Sequence, residues 1–275
     1  MTGPQCQRLP DGRLHLHHGP IDLICEAWGT TEQILRGYDR AALRFGSVLP
    51  ELVAELSALR SQNAVVSGSV AKRMACAVAP FQPAFITPMA AVAGAVAETI
   101  LTTLVEPGMP KAYVNNGGDI ALHLAPGESL SAAIGLGPHR IKISAADPIR
   151  GMATSGWRGR SFSLGIADCV TVLAQTASMA DAAATMIANA VDLPGHAAIE
   201  RRPAREIQYD SDLGARLVTV SVGQLTQTET AQALERGLAR AFIYQQRGLI
   251  HAAALVLNAD LRTMGAFALK ELANA

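Results

Sequence analysis

Polar and apolar residues alternate around Gly19-Pro20 over residues 13–25, and this pattern predicts a β-hairpin. His15, His17 and His18 fall in it, with His15 and His17 on one face. No third ligand stands at a telling spacing, so an exposed polar face is the plainer reading than a metal site. The period then changes. Thr30 or Thr31 can cap a helix through Glu32, Ile34 and Leu35 towards Arg40. A second helix is expected over residues 50–60, with Pro50 near its first position and Glu51 in its first turn. Ser67-Gly68-Ser69 ahead of Lys72-Arg73 has the parts of an anion-binding turn. It lacks the phosphate-loop spacing, which favours a solvated basic pair.

From Pro88 to Glu98 the residues are small nearly all round, which predicts a buried helix pressed against other backbones. Gly94 in mid-helix costs about 1 kcal/mol relative to Ala, so it is expected to make room for something. Glu98 is the exception on this surface, either solvent-facing at the helix end or buried and paired. Over residues 112–122, two β-like runs flank Asn115-Asn116-Gly117-Gly118-Asp119, a hairpin turn. Its two glycines would also let a ligand lie close to the main chain.

Residues 151–191 hold a small-residue turn, Ala153-Thr154-Ser155-Gly156, then an apolar β-like run over 169–174 and an Ala-rich helix over 178–191. Asp181 and Thr185 are four apart on that helix, so two hard oxygens point the same way, a pairing suited to Mg²⁺ or Ca²⁺. The same stretch also fits a capping box, with Ser178 as N-cap and Asp181 reaching back to it. Further on, residues 198–208 read as a connection or edge strand. Residues 216–222 read as a strand, 228–245 as an amphipathic helix and 251–257 as another strand.

Composition narrows the function. Of 275 residues, 49% are apolar and 17% charged, which is a globular chain able to bury a large core. Twenty-three basic residues balance 23 acidic ones without a dense basic run, which argues against nucleic acid or an anionic membrane as partner. The four cysteines are scattered, so neither a disulfide framework nor a zinc site is expected. Residues 84–105 are too interrupted by Thr, Pro, Gly and Glu to span a membrane. No apolar secretory region precedes Cys6, and a cytoplasmic location is expected. The pattern as a whole predicts one α+β domain over residues 1–275.

The order of the pieces is more specific than any one of them. The helix Ala90 to Glu98, then Val114-Asn-Asn-Gly-Gly-Asp-Ile120, then Ala153-Thr-Ser-Gly156, then Ala180-Asp-Ala-Ala-Ala-Thr185 resembles the ApbE superfamily. Its best-known members are Mg²⁺-dependent flavin transferases that move FMN from FAD onto protein threonines. The segments PMAAVAGAVAE, NGGDI and GMATSGWRG resemble an uncharacterised branch of ApbE-like proteins more closely still, over about residues 65–192. The resemblance implies a mostly antiparallel sheet packed with buried small-residue helices. It implies Asp181 and Thr185 as metal ligands for Mg²⁺. It also implies that Asn115, Asn116, Gly117, Gly118, Thr154, Ser155 and Gly156 lie beside a flavin nucleotide. Asp119 and Asp168 are the candidates for a polar or proton-transfer role.

The chain departs from the transferases in one segment. Their H-x-x-D-P-x-T-G follows A-T-S-G, where this chain has Ser163-Leu164-Gly165-Ile166-Ala167-Asp168-Cys169. A partial lookalike, Asp147-Pro148-Ile149-Arg150-Gly151, precedes the turn, and their K-G within the small helix stands here as Gly94-Ala95. The expectation is therefore a protein that binds a flavin, pterin or other phosphorylated, nucleotide-like small molecule with Mg²⁺. It would be either an enzyme acting on that ligand, a transferase or hydrolase, or a carrier without chemistry. FMN transfer itself is the reading least favoured, and a homo-oligomer such as a homodimer is left open.

Overall fold

Two threonines start the two longest helices. Thr30 Oγ1 accepts the Gln33 N–H at 3.2 Å while Gln33 Oε1 accepts the Thr30 N–H at 2.9 Å. Thr226 and Glu229 repeat the exchange at 3.3 and 2.7 Å, so both starts are closed capping boxes. The computed structural model describes residues 3–63, 65–134, 139–265 and 269–271. In chain order its elements begin β1 (Gln5–Arg8), β2 (Leu14–His18), β3 (Ile21–Trp28), α1 (Thr31–Ala54), α2 (Leu56–Leu59), α3 (Ser69–Val78), α4 (Val92–Leu104), β4 (Lys111–Asn116) and β5 (Asp119–Leu124). They continue with β6 (Ser129–Ala133), β7 (His139–Ser144), β8 (Gly151–Ser155), β9 (Cys169–Ala174) and α5 (Ala177–Ala190). The last are β10 (Ile199–Pro203), α6 (Ala204–Ile207), β11 (Leu217–Val222), α7 (Gln227–Gln246), β12 (Ala252–Leu257), β13 (Asp260–Gly265) and β14 (Leu269–Glu271). The architecture is α+β, as the pattern implied, with the antiparallel strand pairing that the resemblance implied.

The chain divides into two compact units. The first takes Met1–Ser131, Lys142–Ala153 and Ala174–Asp181. Its strands lie in the order β1-β2-β3-β4-β5-β8, each pair antiparallel. Burial alternates strictly along β2, β3 and β4, so Leu14, Leu16, Leu23, Cys25, Ala112 and Val114 all point to one buried face. Helices α1 and α4 pack there. The expected hairpin at residues 13–25 is β2 and β3, and the Asn-Gly-Gly-Asp turn joins β4 to β5.

Three expectations need correction in this unit. The two helices expected on either side of residue 50 are one, because α1 runs through Pro50. Proline removes one backbone bond, but Phe45, Val48, Leu49 and Leu52 are buried around it and carry the helix on. The 3₁₀ turn Pro88–Ala91 precedes α4, so the small-residue helix proper starts at Val92. The Ser67-Gly68 turn does bind an anion, but it is the chain's own: the Glu55 carboxylate takes the Ser67 N–H at 2.9 Å, the Ser67 hydroxyl at 2.8 Å and the Gly68 N–H at 2.7 Å.

The second unit takes Ala132–Ile141, Thr154–Leu173 and Ala182–Ala275. There β12 pairs antiparallel with both β9 and β13, and α7 packs on β12 and β13. Gly237 lets α7 approach, since a Cβ there would meet Val191 at 2.4 Å and Leu255 at 2.6 Å. Residues 198–208, expected as a connection or edge strand, hold β10, paired with β11, and then the short helix α6. Among the described residues, no helix is long and apolar enough to cross a membrane.

Candidate functional site

The first N–H groups of an α-helix have no partner within it. Helix α4 begins after Ala91, which cannot cap it with a side chain, and no acidic residue stands in its first turn. The acceptor comes from 87 positions away: Asp181 Oδ2 accepts the Gly94 N–H at 3.0 Å, and the Ala93 N–H also bonds that carboxylate. The start of α5 is served from α4 in return. Glu98 Oε1 accepts the Ser178 N–H at 2.6 Å and the Ser178 hydroxyl at 2.8 Å, while Thr176 Oγ1 accepts the Met179 N–H at 3.2 Å. Each helix thus carries a carboxylate that caps the other. The capping box expected between Ser178 and Asp181 does not form: Asp181 is a cap, but of a different helix.

Gly94 allows this crossing. A Cβ on it would stand 2.3 Å from the Ala177 carbonyl oxygen, 2.5 Å from its carbon and 2.7 Å from the Ser178 nitrogen. Of the two readings of Glu98, buried and paired is the right one: it is 8% exposed and its Oε2 holds Arg73 Nη1 at 2.6 Å. The basic pair is therefore not simply solvated, since Arg73 is tied to Glu98.

The Asn-Gly-Gly-Asp turn abuts the same helix start. Asn116 Nδ2 donates to the Ala93 carbonyl at 3.2 Å, and Asn115 Oδ1 accepts the Gly118 N–H at 2.8 Å. Gly117 and Gly118 have φ of 64° and 112°, the left-handed region that favours glycine. A Cβ on Gly118 would meet nothing within 4 Å, so the turn's outer side is open. Asp119, opposite Asn116 in the ladder, is buried, and its charge reaches Asp181. Asp181 is half-buried as a residue. Burial of its carboxylate first, then the charge of Asp119, push its pKa well above the usual carboxylate range, with Glu98 adding to the rise and the Gly94 and Ala93 N–H groups opposing it. Thus Asn116 and Asp181 meet at the start of α4 with Asp119 close to Asp181, while Asn115 closes the Gly117-Gly118 turn that follows. Thr185 is half-buried on α5, one helical turn beyond Asp181. Among the described residues no group of three or more His, Cys, Asp or Glu could hold a metal ion.

The remaining site candidates belong to the second unit. The residues expected to form a small-residue turn are mostly strand, since Thr154 and Ser155 end β8. The exposed Thr154 hydroxyl lies 3.0 Å from that of the buried Thr171. Gly156 is required by close approach, because a Cβ would meet the Asp168 carbonyl oxygen at 2.5 Å. Asp168 is heavily engaged: Oδ1 accepts Arg158 Nε at 2.6 Å and Trp157 Nε1 at 3.3 Å, and Oδ2 accepts the Asn258 N–H at 2.8 Å. Arg158 stacks on the Trp157 ring, 4.7 Å from its centroid. The Asn258 bond holds the β12–β13 turn, whose Asn258 and Ala259 have φ of 50° and 64°.

Glu98, as the one charge on an apolar helix, and Arg73, in the basic pair, stand out in the sequence, but not as each other's partners; Trp157 and Arg158 were missed as partners of Asp168. Of the histidines, His15 pairs with Asp22 at 2.7 Å.

Comparison with known proteins places the chain. The family model described as AbpE bacteria matches residues 6–265. A UPF0280 protein of Methanothermobacter thermautotrophicus is 35% identical over 199 residues, 62% of this chain and 75% of that one. UPF0280 proteins of Archaeoglobus fulgidus and Methanothrix thermoacetophila are 36% and 41% identical over 42% and 44% of this chain. The match spans about half of those two relatives, 49% and 52% of their length. Among solved structures, a mutant of the flavin transferase ApbE from Vibrio cholerae aligns with a TM-score of 0.44 at 14% identity, over 92% of this chain and 96% of that one.

Proposed function

We propose, from the premise that the chain belongs to the AbpE bacteria family, that it binds a phosphorylated, nucleotide-like small molecule together with Mg²⁺. A flavin or pterin is the planar group assigned to that ligand, on the resemblance carried by the Asn116-Gly-Gly-Asp119 and Asp181-x-x-x-Thr185 motifs. The observation that supports the reading best is the Asp119 and Asp181 pair beside an open glycine turn. Two carboxylates that oppose each other's ionisation are a place where a cation relieves both burial and like charge. Mg²⁺ keeps several waters and takes one or two carboxylates plus substrate phosphates, so a single protein carboxylate with a neighbouring hydroxyl suits it. The residues that would hold it are Asp181 and, one turn on, Thr185. Bound there, the ion would supply positive charge to phosphate oxygens. Asn115, Asn116, Gly117 and Gly118 would line the ligand, with Asp119 as the polar or proton-transfer group. Thr154, Ser155 and Gly156 are given a part in ligand binding by the resemblance alone.

A carrier without chemistry is the second reading, and Asp168 favours it. With three donors on its two oxygens, that carboxylate is committed to holding Arg158, Trp157 and the β12–β13 turn. The test is a set of thermal melts with Mg²⁺ and FAD, FMN or ADP, alongside mass spectrometry of small molecules that co-purify with the native protein. A ligand at a hundred times its Kd stabilises by about 2.7 kcal/mol, an easily read shift. The expected result is a Mg²⁺-dependent shift in the wild type that Asp181→Ala abolishes. Equal shifts in both would remove Asp181 from the site, and no shift with any nucleotide would refute the ligand class.

A further inference from the structure

We propose that Glu98 is a positioning residue for the Asp181 carboxylate, acting through the exchange of caps between α4 and α5. Its functional meaning rests on the Mg²⁺ and nucleotide reading above; its geometry does not. Gly94 and Glu98 are one turn apart on α4, and Ser178 and Asp181 one turn apart on α5. Two bridges therefore join the same two helix faces, Gly94 to Asp181 and Glu98 to Ser178, running in opposite chain directions. Glu98 is fixed from both sides, with Oε1 on Ser178 and Oε2 on Arg73 of α3. A carboxylate held at both oxygens cannot turn away, so the start of α5 has one place to sit. The contact of Gly94 with the Ala177 backbone sets how closely the helices meet there. With the start of α5 fixed, Asp181 one turn later arrives at the Ala93 and Gly94 N–H groups. Neither helix has an acidic residue in its own first turn, and the local cap on α5, Thr176 Oγ1, takes the Met179 N–H and leaves the Ser178 N–H to Glu98. Glu98 would thus decide where a bound cation finds the Asp181 oxygens, without touching the cation itself.

The Gly94 amide proton reports the place of Asp181 directly, and no ligand is needed to read it. Amide hydrogen exchange on the full chain, wild type against Glu98→Gln, tests the proposal. Gln keeps the size and one acceptor oxygen but drops the charge that strengthens the Ser178 bonds. Exchange at Ser178 and at Gly94 should both quicken by about tenfold or more, while amides in the middle of α1, such as Phe45, keep their protection. If Ser178 quickens and Gly94 does not, Glu98 is only a cap for α5 and the proposal falls. If the α1 amides quicken equally, the effect is loss of fold stability, and the proposal falls too. Should Glu98→Gln not fold, Ser178→Ala breaks the hydroxyl half of the same bridge and is read by the same Gly94 amide. In a second arm, Mn²⁺ binding followed by electron paramagnetic resonance should weaken by about tenfold in Glu98→Gln. Unchanged Mn²⁺ affinity overturns the link to binding. A wild type that binds no Mn²⁺ sinks the metal reading, and the Gly94 amide still decides whether Glu98 positions Asp181.

Discussion

Gly94→Ala sets two known effects against each other. Alanine is the better helix former by about 1 kcal/mol, so helix propensity alone makes the variant more stable. Against that, the new Cβ would stand 2.3 Å from the Ala177 oxygen and 2.7 Å from the Ser178 nitrogen. Non-bonded carbon contacts settle near about 3.5 Å, so the two helix starts must part by roughly 1 Å. Both neighbours are backbone and cannot swing aside as a flexible side chain would. Overpacking of this kind costs about 1–3 kcal/mol. The same movement stretches the Gly94 to Asp181 bond from 3.0 Å and the Glu98 to Ser178 bond from 2.6 Å. Losing one hydrogen bond to a charged group costs about 1.5–3 kcal/mol. Setting the propensity gain against these losses leaves a net destabilisation of about 2–4 kcal/mol. At about 2–4 °C per kcal/mol for a chain of this size class, Tm should fall by roughly 5–15 °C. Thermal and urea melts measure it, with Gly127→Ala as control, since that glycine sits at φ 89° with nothing within 4 Å. The control should lose only about 1–2 kcal/mol from its left-handed backbone. A Gly94→Ala protein that melts at or above the wild type would show propensity winning, and the close approach of α4 to α5 would be wrong.

Asp181→Asn keeps an acceptor for the Gly94 N–H but removes a carboxylate whose pKa is raised by burial and by Asp119. A raised folded pKa means stability that is full below the ordinary carboxylate range and lost as pH rises through the raised value, so the wild type without divalent cation should weaken over that rise. The variant should flatten the trend in melts run from about pH 4 to about pH 8, and identical slopes would refute the assignment. Gly118→Ala should lose about 1–2 kcal/mol because φ is 112°, as Gly127→Ala does, but only the former should lower nucleotide affinity; equal affinity in both reduces the turn to architecture. Asp168→Ala should free the Trp157 indole and shift its fluorescence to the red in a Trp28→Phe background, with unchanged emission counting against the Asp168 anchor. Incubation with FAD, Mg²⁺ and a threonine-bearing acceptor protein should leave no fluorescent band in a denaturing gel, and such a band would restore FMN transfer as the activity.

Period and punctuation made much of the fold legible. Alternation around Gly19-Pro20 became β2 and β3, and the Asn-Gly-Gly-Asp centre became the β4–β5 turn, because both signals are local. Pro50 misled because punctuation is a local penalty, while α1 is held by a buried face that extends on both sides of it. Strands β6 and β7 went unseen: Ser129–Ala133 is weakly apolar and His139–Ser144 carries three cationic or His side chains, so neither stands out from a loop.

The site was legible as residue types and not as partners. Asp181 near a helix start is a cap by any local rule, and a cap it is; the error lay in which helix. Its N–H partner lies 87 residues away, and the carboxylate that serves its own helix lies 80 residues away. Capping boxes such as Thr30 with Gln33 close within one turn and can be read from spacing. An exchange of caps between two helices has no spacing to read. Its one trace is negative, in helices whose first turns lack an acid of their own and whose buried faces carry an acid without a nearby base. Glu98 in Val92–Leu104 fits that description, and so does Asp181 in Ala177–Ala190. A lone acid on a small-residue helix should therefore be read first as half of a pair whose other half caps the helix that carries it. A cation joining Asp181 would come to a carboxylate already placed by the fold.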